Sequence, residues 1–293
     1  MADQTRAAAS LRGLTTSDGE GWIAGRDPAF ISLRGVGRHF FHSGSRVDAL
    51  RDLSFEVGRG EFVSVIGPSG CGKSTMLRIV GGLMRPDSGT VLVAGVEPEA
   101  ARAAKLFGLV PQAPALLAWR NVLDNVTLLK DVKGPRRDPR REQFTYARPA
   151  AKDPAELLEL VGLAPFRYSH PRELSGGMQQ RVNLVRAFAL GAPVLLMDEP
   201  FASLDEITRD RMRFLLLDLW QTSDATVIFV THAIREAVML SDRVVTFTSR
   251  PGTVAEIEAI ELPRPRREEM EDSPEFLAHV THIRRTLRAT SAL

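Results

Sequence analysis

Gly67-Pro68-Ser69-Gly70-Cys71-Gly72-Lys73-Ser74 follows the apolar run Phe62-Val63-Ser64-Val65-Ile66 and precedes Met76-Leu77-Arg78-Ile79-Val80. The order reads as buried strand, glycine-rich turn, helix. Glycine lets the backbone fold back tightly, so several N–H groups point at one anion, and the helix N-terminus favours negative charge. The octet fits the phosphate-loop pattern G-x-x-x-x-G-K-[ST] at every fixed position. Lys73 adds a positive charge near the terminal phosphates, and the Ser74 hydroxyl can ligate Mg²⁺. With Thr75, residues 67–75 make up the candidate nucleotide cradle. An ordinary glycine-rich turn is the plainer alternative; strand, full motif and helix together argue against it.

A second apolar run, Val194-Leu195-Leu196-Met197, ends in Asp198-Glu199. Such a run reads as a central parallel strand covered on both faces. Ligands of open α/β sheets bind at the carboxyl ends of such strands. Asp198 is then placed to hold Mg²⁺, directly or through water. Glu199 can polarise an attacking water as general base.

Leu174-Ser175-Gly176-Gly177-Met178-Gln179-Gln180-Arg181 reads as a Ser-Gly-Gly turn opening a helix. Bare N–H groups and a hydroxyl there form a second anion site. A plain helix cap would have the same first three residues. The full string, just before an Asp-Glu strand, resembles the signature of ABC transporter ATPases. In that family the signature of one subunit closes on ATP held by the phosphate loop of another. The resemblance therefore implies a head-to-tail homodimer in which Ser175, Gly176, Gly177 and Gln179 meet the partner's ATP.

Other elements resemble the same family in order. Gln112, after Phe107-Gly108-Leu109-Val110-Pro111, resembles the Q-loop glutamine, implying contact with Mg²⁺ and the attacking water. Ser203-Leu204-Asp205 resembles the D-loop, implying that Asp205 lies at the dimer interface near the nucleotide. His232, after Val227-Ile228-Phe229-Val230-Thr231, resembles the switch histidine that senses the γ-phosphate. Phe40 sits where the family places an aromatic that stacks on adenine; Tyr is usual there, and Phe41 is the competing candidate. The resemblance covers about residues 29–262. It implies an α/β P-loop NTPase (RecA-like) core with an antiparallel β subdomain and an inserted helical subdomain at about 114–189.

Leu117-Ala118-Trp119-Arg120-Asn121-Val122 with Asp124-Asn125-Val126, and the turn Ser249-Arg250-Pro251-Gly252, resemble stretches of the nitrate, sulfonate and taurine importers. Two residues depart from that group. Ala233 replaces the Asp that follows the switch histidine, and Asn183 replaces a small apolar residue. The resemblance implies the ATP-hydrolysing subunit of an importer of a small anion such as nitrate, sulfonate or taurine. Its implied partners are ATP, a second copy, integral membrane permease subunits docking near Trp119, and a separate substrate-binding protein. An exporter or lipid-transport ATPase, a non-transport ABC ATPase and a regulatory module without turnover are the alternatives. Intact Glu199 and His232 argue against the last.

Composition agrees. Of 293 residues, 44% are hydrophobic and 25% charged, which excludes collagen-like, disorder-dominated and disulfide-rich classes. A net charge of +2 gives no argument for a nucleic-acid partner. The one cysteine, Cys71, excludes an internal disulfide and fits a reducing compartment. No run reaches the ~18 apolar residues of a membrane span. The expected location is cytoplasmic, peripheral on the inner face of the membrane through the permease. Residues 1–28 read as a flexible leader. The charged, proline-containing stretch at 130–152 reads as a solvated loop. Strands are expected at 31–36, 53–57, 90–93, 106–110, 242–248 and 253–260. Asp153 and Pro154 mark one helix start, before 155–160. Residues 263–293 read as a basic segment and an amphipathic helix capped by Ser273, whose stripe is Phe276, Leu277, Val280, Ile283 and Leu287.

Overall fold

The computed structural model describes residues 29–131 and 152–291. The leader at 1–28 and most of the stretch at 130–152 lie outside the described residues.

Apolar runs build the larger sheet. Its strands are β3 (Phe62–Ile66), β5 (Phe107–Val110), β6 (Val194–Asp198), β7 (Thr226–Val230), β8 (Arg243–Phe247) and β9 (Val254–Ala259), in spatial order β5-β6-β7-β3-β8-β9. The first five are parallel, and β9 runs antiparallel to β8. Every residue of β3 and β7 is buried, as a parallel strand covered on both faces requires. β6 is interior, between β5 and β7. Alternate side chains of β3 serve opposite faces: Phe62 and Ile66 enter one hydrophobic cluster, Val63 and Val65 the other.

A second, antiparallel sheet has the order β2-β1-β4, with β1 at Ile31–His42, β2 at Ser45–Val57 and β4 at Ser88–Val93. Its first two strands run further than the sequence pattern predicts. Register shifts between Leu33 and His39 absorb the polar and glycine positions that break the alternation, and the pairing continues to His42. Phe40 consequently lies on a strand, opposite Val47.

Helices cover both faces of the large sheet: α1 (Lys73–Val80), α2 (Pro98–Ala103), α3 (Val122–Asp131), α4 (Pro154–Leu160), α5 (Gly176–Ala189), α6 (Glu206–Gln221), α7 (Ile234–Leu240) and α8 (Pro274–Ser291). The Asp153 side chain caps α4 through the Ala155 N–H at 3.0 Å. Ser273 Oγ accepts the Phe276 N–H at 3.2 Å at the start of α8. Phe276, Val280 and Ile283 are buried in the core and Leu287 packs against it. Leu277 departs from the predicted stripe. It is 43% exposed, because it stands one residue, about 100°, away from Phe276 around the helix. Among the described residues no helix is long and apolar enough to cross a membrane.

Candidate nucleotide-binding site

The phosphate loop joins the carboxyl end of β3 to α1. Gly72 has φ +106°, and a Cβ there would stand 2.7 Å from the Ala49 carbonyl oxygen. Conformation and close approach both require glycine at that position. Lys73 is 6% exposed, and its Nζ donates to Gly67 O at 2.8 Å and Pro68 O at 3.0 Å. The ammonium is thus held over its own loop. Cys71 is buried beneath the loop, and burial pushes its thiol up. It packs rather than reacts.

Ser74 Oγ donates to Asp198 Oδ1 at 2.9 Å. Burial pushes the Asp198 carboxyl above the usual aspartate range, the Ser74 hydroxyl opposes that, and Glu199 adds to it. A hydroxyl and a carboxylate oxygen this close are the hard donors that suit Mg²⁺. Gln112 is exposed, two residues beyond Val110, which pairs with Met197. Gln112 and Asp198 therefore leave neighbouring strand ends. The segment around Gln112 is held from α5. Asn183 Nδ2 donates to Pro111 O at 3.4 Å, and Arg186 Nη1 to Ala115 O at 2.6 Å. Arg186 Nη2 also donates to Asn183 Oδ1 at 2.6 Å.

Glu199 has φ +45°, the left-handed region that non-glycine residues seldom occupy. Its N–H donates to Val230 O at 2.9 Å, and its carbonyl accepts from the Ala202 N–H at 3.1 Å. This turn sends the carboxylate to His232 Nδ1, 3.0 Å away. Strain of this kind gathers at functional sites. Ala233, without a capping side chain, opens α7, and its N–H donates instead to Thr231 Oγ1 at 3.0 Å.

A cleft of about 490 Å³ lies over the loop. Phe40, Val47 and Ala49 form its apolar wall, while Ser69, Lys73, Ser74, Thr75 and Glu199 supply polar groups. The Arg38 guanidinium sits 5.1 Å from the Phe40 ring centre. Phe41 is 73% exposed and is not part of the lining. Three lining residues carried no sequence signal for a site. Val47 and Ala49 arrive through the antiparallel pairing of β2, and Arg250 through the turn after β8.

The signature residues stand elsewhere on the chain. Ser175 Oγ caps α5 through the Met178 N–H at 3.3 Å. Gly176 faces open space, and a Cβ on Gly177 would lie 3.0 Å from Thr208 Cγ2. Asp205 caps α6 by accepting the Thr208 N–H at 2.9 Å, which above all holds its carboxyl below the usual range. Gln179 Nε2 donates back to Pro171 O at 3.0 Å and Leu174 O at 3.3 Å, bracing the turn. None of Ser175, Gly176, Gly177, Gln179 and Asp205 lines the cleft of its own chain. Two exposed helix starts, α5 and α6, instead stand side by side.

Residues 50–202, which hold the phosphate loop, the signature and the Asp198-Glu199 strand end, match the ABC transporter family. The chain belongs to that family. It is an ABC cassette with the α/β fold of P-loop ATPases. It is 44% identical to the ABC transporter ATP-binding protein MJ0412 of Methanocaldococcus jannaschii, over 80% of this chain and 84% of that one. Similarity extends to the taurine import ATP-binding protein TauB of a Jannaschia species, 39% identical over 76% of this chain and 80% of that one. The aliphatic sulfonates import ATP-binding protein SsuB of Bacillus cereus is 36% identical, over 84% and 92%. Among solved structures, the dimeric post-hydrolysis state of the cassette MJ0796 bound to ADP and Pi superposes with a TM-score of 0.64. It is 31% identical and covers 80% of this chain and all of that one.

Proposed function

We propose that this cassette is the ATP-hydrolysing subunit of an ABC importer, energising uptake of a small anion such as a sulfonate, taurine or nitrate. Two pairs carry the reading, Ser74–Asp198 and Glu199–His232, whose Ser74 and Glu199 line one cleft at the strand ends, with Asp198 and His232 as their hydrogen-bond partners. Phe40 stacks on adenine, a sequence-tolerant contact that an aromatic face provides without hydrogen bonds. The loop N–H groups and Lys73 hold the phosphates. Ser74, Asp198 and Gln112 would hold Mg²⁺, which supplies charge neutralisation at the phosphates. Glu199 orients the attacking water and takes its proton, and His232 holds the Glu199 carboxylate in place.

Each chain carries one loop and one signature, on separate surfaces. A symmetric pair of chains, related by a two-fold axis, brings Ser175 and Gly177 of each copy to the ATP of the other. The permease docks near Trp119, which is 75% exposed. Asn125, fully buried, pins the Trp119 loop by accepting the Leu117 N–H at 2.7 Å and donating to Leu117, Arg120 and Asn121 carbonyls. A permease would hold the cassette on the inner face of the membrane, with a separate binding protein selecting the solute. Two measurements test this reading. The purified chain should hydrolyse ATP, and Lys73→Ala should not. Affinity capture from the source cell should recover a membrane permease; an ATPase that captures no membrane protein contradicts the importer role.

A further inference from the structure

The turn Ser249-Arg250-Pro251-Gly252 takes no part in the roles above, yet it is built against the nucleotide cleft. A Cβ on Gly252 would collide with the Cys71 carbonyl oxygen, so the turn touches the back of the phosphate loop itself. The Gly252 N–H donates to Ala49 O at 2.9 Å, and Gly252 O accepts the Arg51 N–H at 3.1 Å. Gly252 is therefore seated between the loop and the strand that forms the apolar wall. Thr248 Oγ1 fixes the turn from within, against Pro251 O at 3.1 Å.

Arg250 leaves this clamped turn and lies over the loop crest. Its Nε donates to Gly70 O at 3.1 Å. A Cβ on Gly70 would stand 2.9 Å from Arg250 Nη2, so the guanidinium lies directly over this glycine, whose φ of +74° itself favours glycine. Arg250 is exposed and lines the cleft together with Lys73, Ser74 and Glu199. Among the described residues its Nη1 and Nη2 donate to no other group. The other cation of the lining, Lys73, already donates to two loop carbonyls. The nearby carboxylate, Glu199, is engaged by His232.

We propose that Arg250 is a nucleotide-binding residue whose guanidinium, fixed by Gly70 O, donates its outer N–H groups to phosphate oxygens of ATP. The proposal rests on the nucleotide reading of the cleft. A planar fork with one edge anchored and the other open matches phosphate geometry, and an anchored donor loses little freedom on binding. The ligand is the polyphosphate of the nucleotide, because the apolar wall and the loop flank the same opening.

Equilibrium titration of the full chain with fluorescent ATP in EDTA, at low and high salt, tests it. Arg250→Gln and Arg250→Ala should weaken binding roughly three- to tenfold at low salt and flatten its salt dependence. Arg250→Lys should bind between these and wild type and keep the salt dependence, since the charge remains. Gln binding as tightly as wild type would overturn the proposal. So would equal weakening by Gln and Lys with unchanged salt dependence, which marks a brace for the loop. Wild-type protein that binds no ATP, indistinguishable from Lys73→Ala, would overturn the nucleotide reading itself.

Discussion

Glu199 Oε2 and His232 Nδ1 stand 3.0 Å apart, and the sheet register puts them there. Asp198 pairs with Val230 across β6 and β7, so Glu199 lies one residue, and His232 two residues, beyond a register pair at adjacent strand ends. Parallel pairing of two buried strands therefore aligns a carboxylate with an imidazole, the arrangement the proposed base and its positioning partner require, and the left-handed Glu199 backbone aims the carboxylate.

Glu199→Gln keeps the shape and removes the proton acceptor. Turnover should fall by about 10²–10⁴-fold, the range of general-base contributions, with ATP binding retained. The variant should also elute as a dimer on sizing chromatography with ATP and Mg²⁺. Hydrolysis at the wild-type rate would move the base elsewhere.

Asp198 separates stability from activity. Burial raises its carboxyl, so ionisation disfavours the folded protein. The sign follows from linkage. That cost is absent below the unfolded aspartate range, grows as pH rises through it, and is complete above the raised folded value. Asp198→Asn keeps an oxygen for Ser74 and removes the charge. Ligand-free Asp198→Asn should melt at or above the wild-type temperature at neutral pH, and the difference should shrink on acidification. Its ATPase activity should fall by about 10²-fold or more. A variant that melts lower at neutral pH contradicts the stated balance.

Asn183 tests how Gln112 is held. Asn183→Ala removes the acceptor of a buried arginine N–H and the donor to Pro111 O. Stability should drop by about 1–3 kcal/mol in denaturant melts, the cost of a buried group left unpaired. The rate at saturating ATP should drop with it, because Pro111 adjoins Gln112. Asn183→Asp, which can still accept from Arg186, should recover most of the stability.

The phosphate loop and the Asp198-Glu199 strand end are legible because backbone geometry fixes their spacing, whereas the signature is legible through its resemblance to the family's string. Three residues show where legibility stops. Phe40 and Phe41 could not be separated, since bulges in β1 hide which side chain faces the cleft. Asn183 is visible as a departure, but one partner, Pro111, lies on another segment, while the other, Arg186, is one turn along the same helix. Arg250 reads in sequence only as part of a turn; the packing of Gly252 on Cys71 and the bond to Gly70 O bring it to the loop. The contacts of Asn183 with Pro111 and of Gly252 with Cys71 are remote in sequence. Leu277 departs for a local reason: about 100° around the helix from Phe276, it falls at the exposed edge of the stripe.

In the proposed dimer, two chains complete each other's ATP sites head to tail. Ser69 lines the cleft, while Ser175 caps a helix outside it. A chain carrying Ser69→Cys and Ser175→Cys, with Cys71→Ala and Glu199→Gln, should be oxidised to a covalent dimer with ATP present and remain monomeric without it. Efficient formation of a disulfide within a single chain would show the signature serving its own loop, and the account would be wrong.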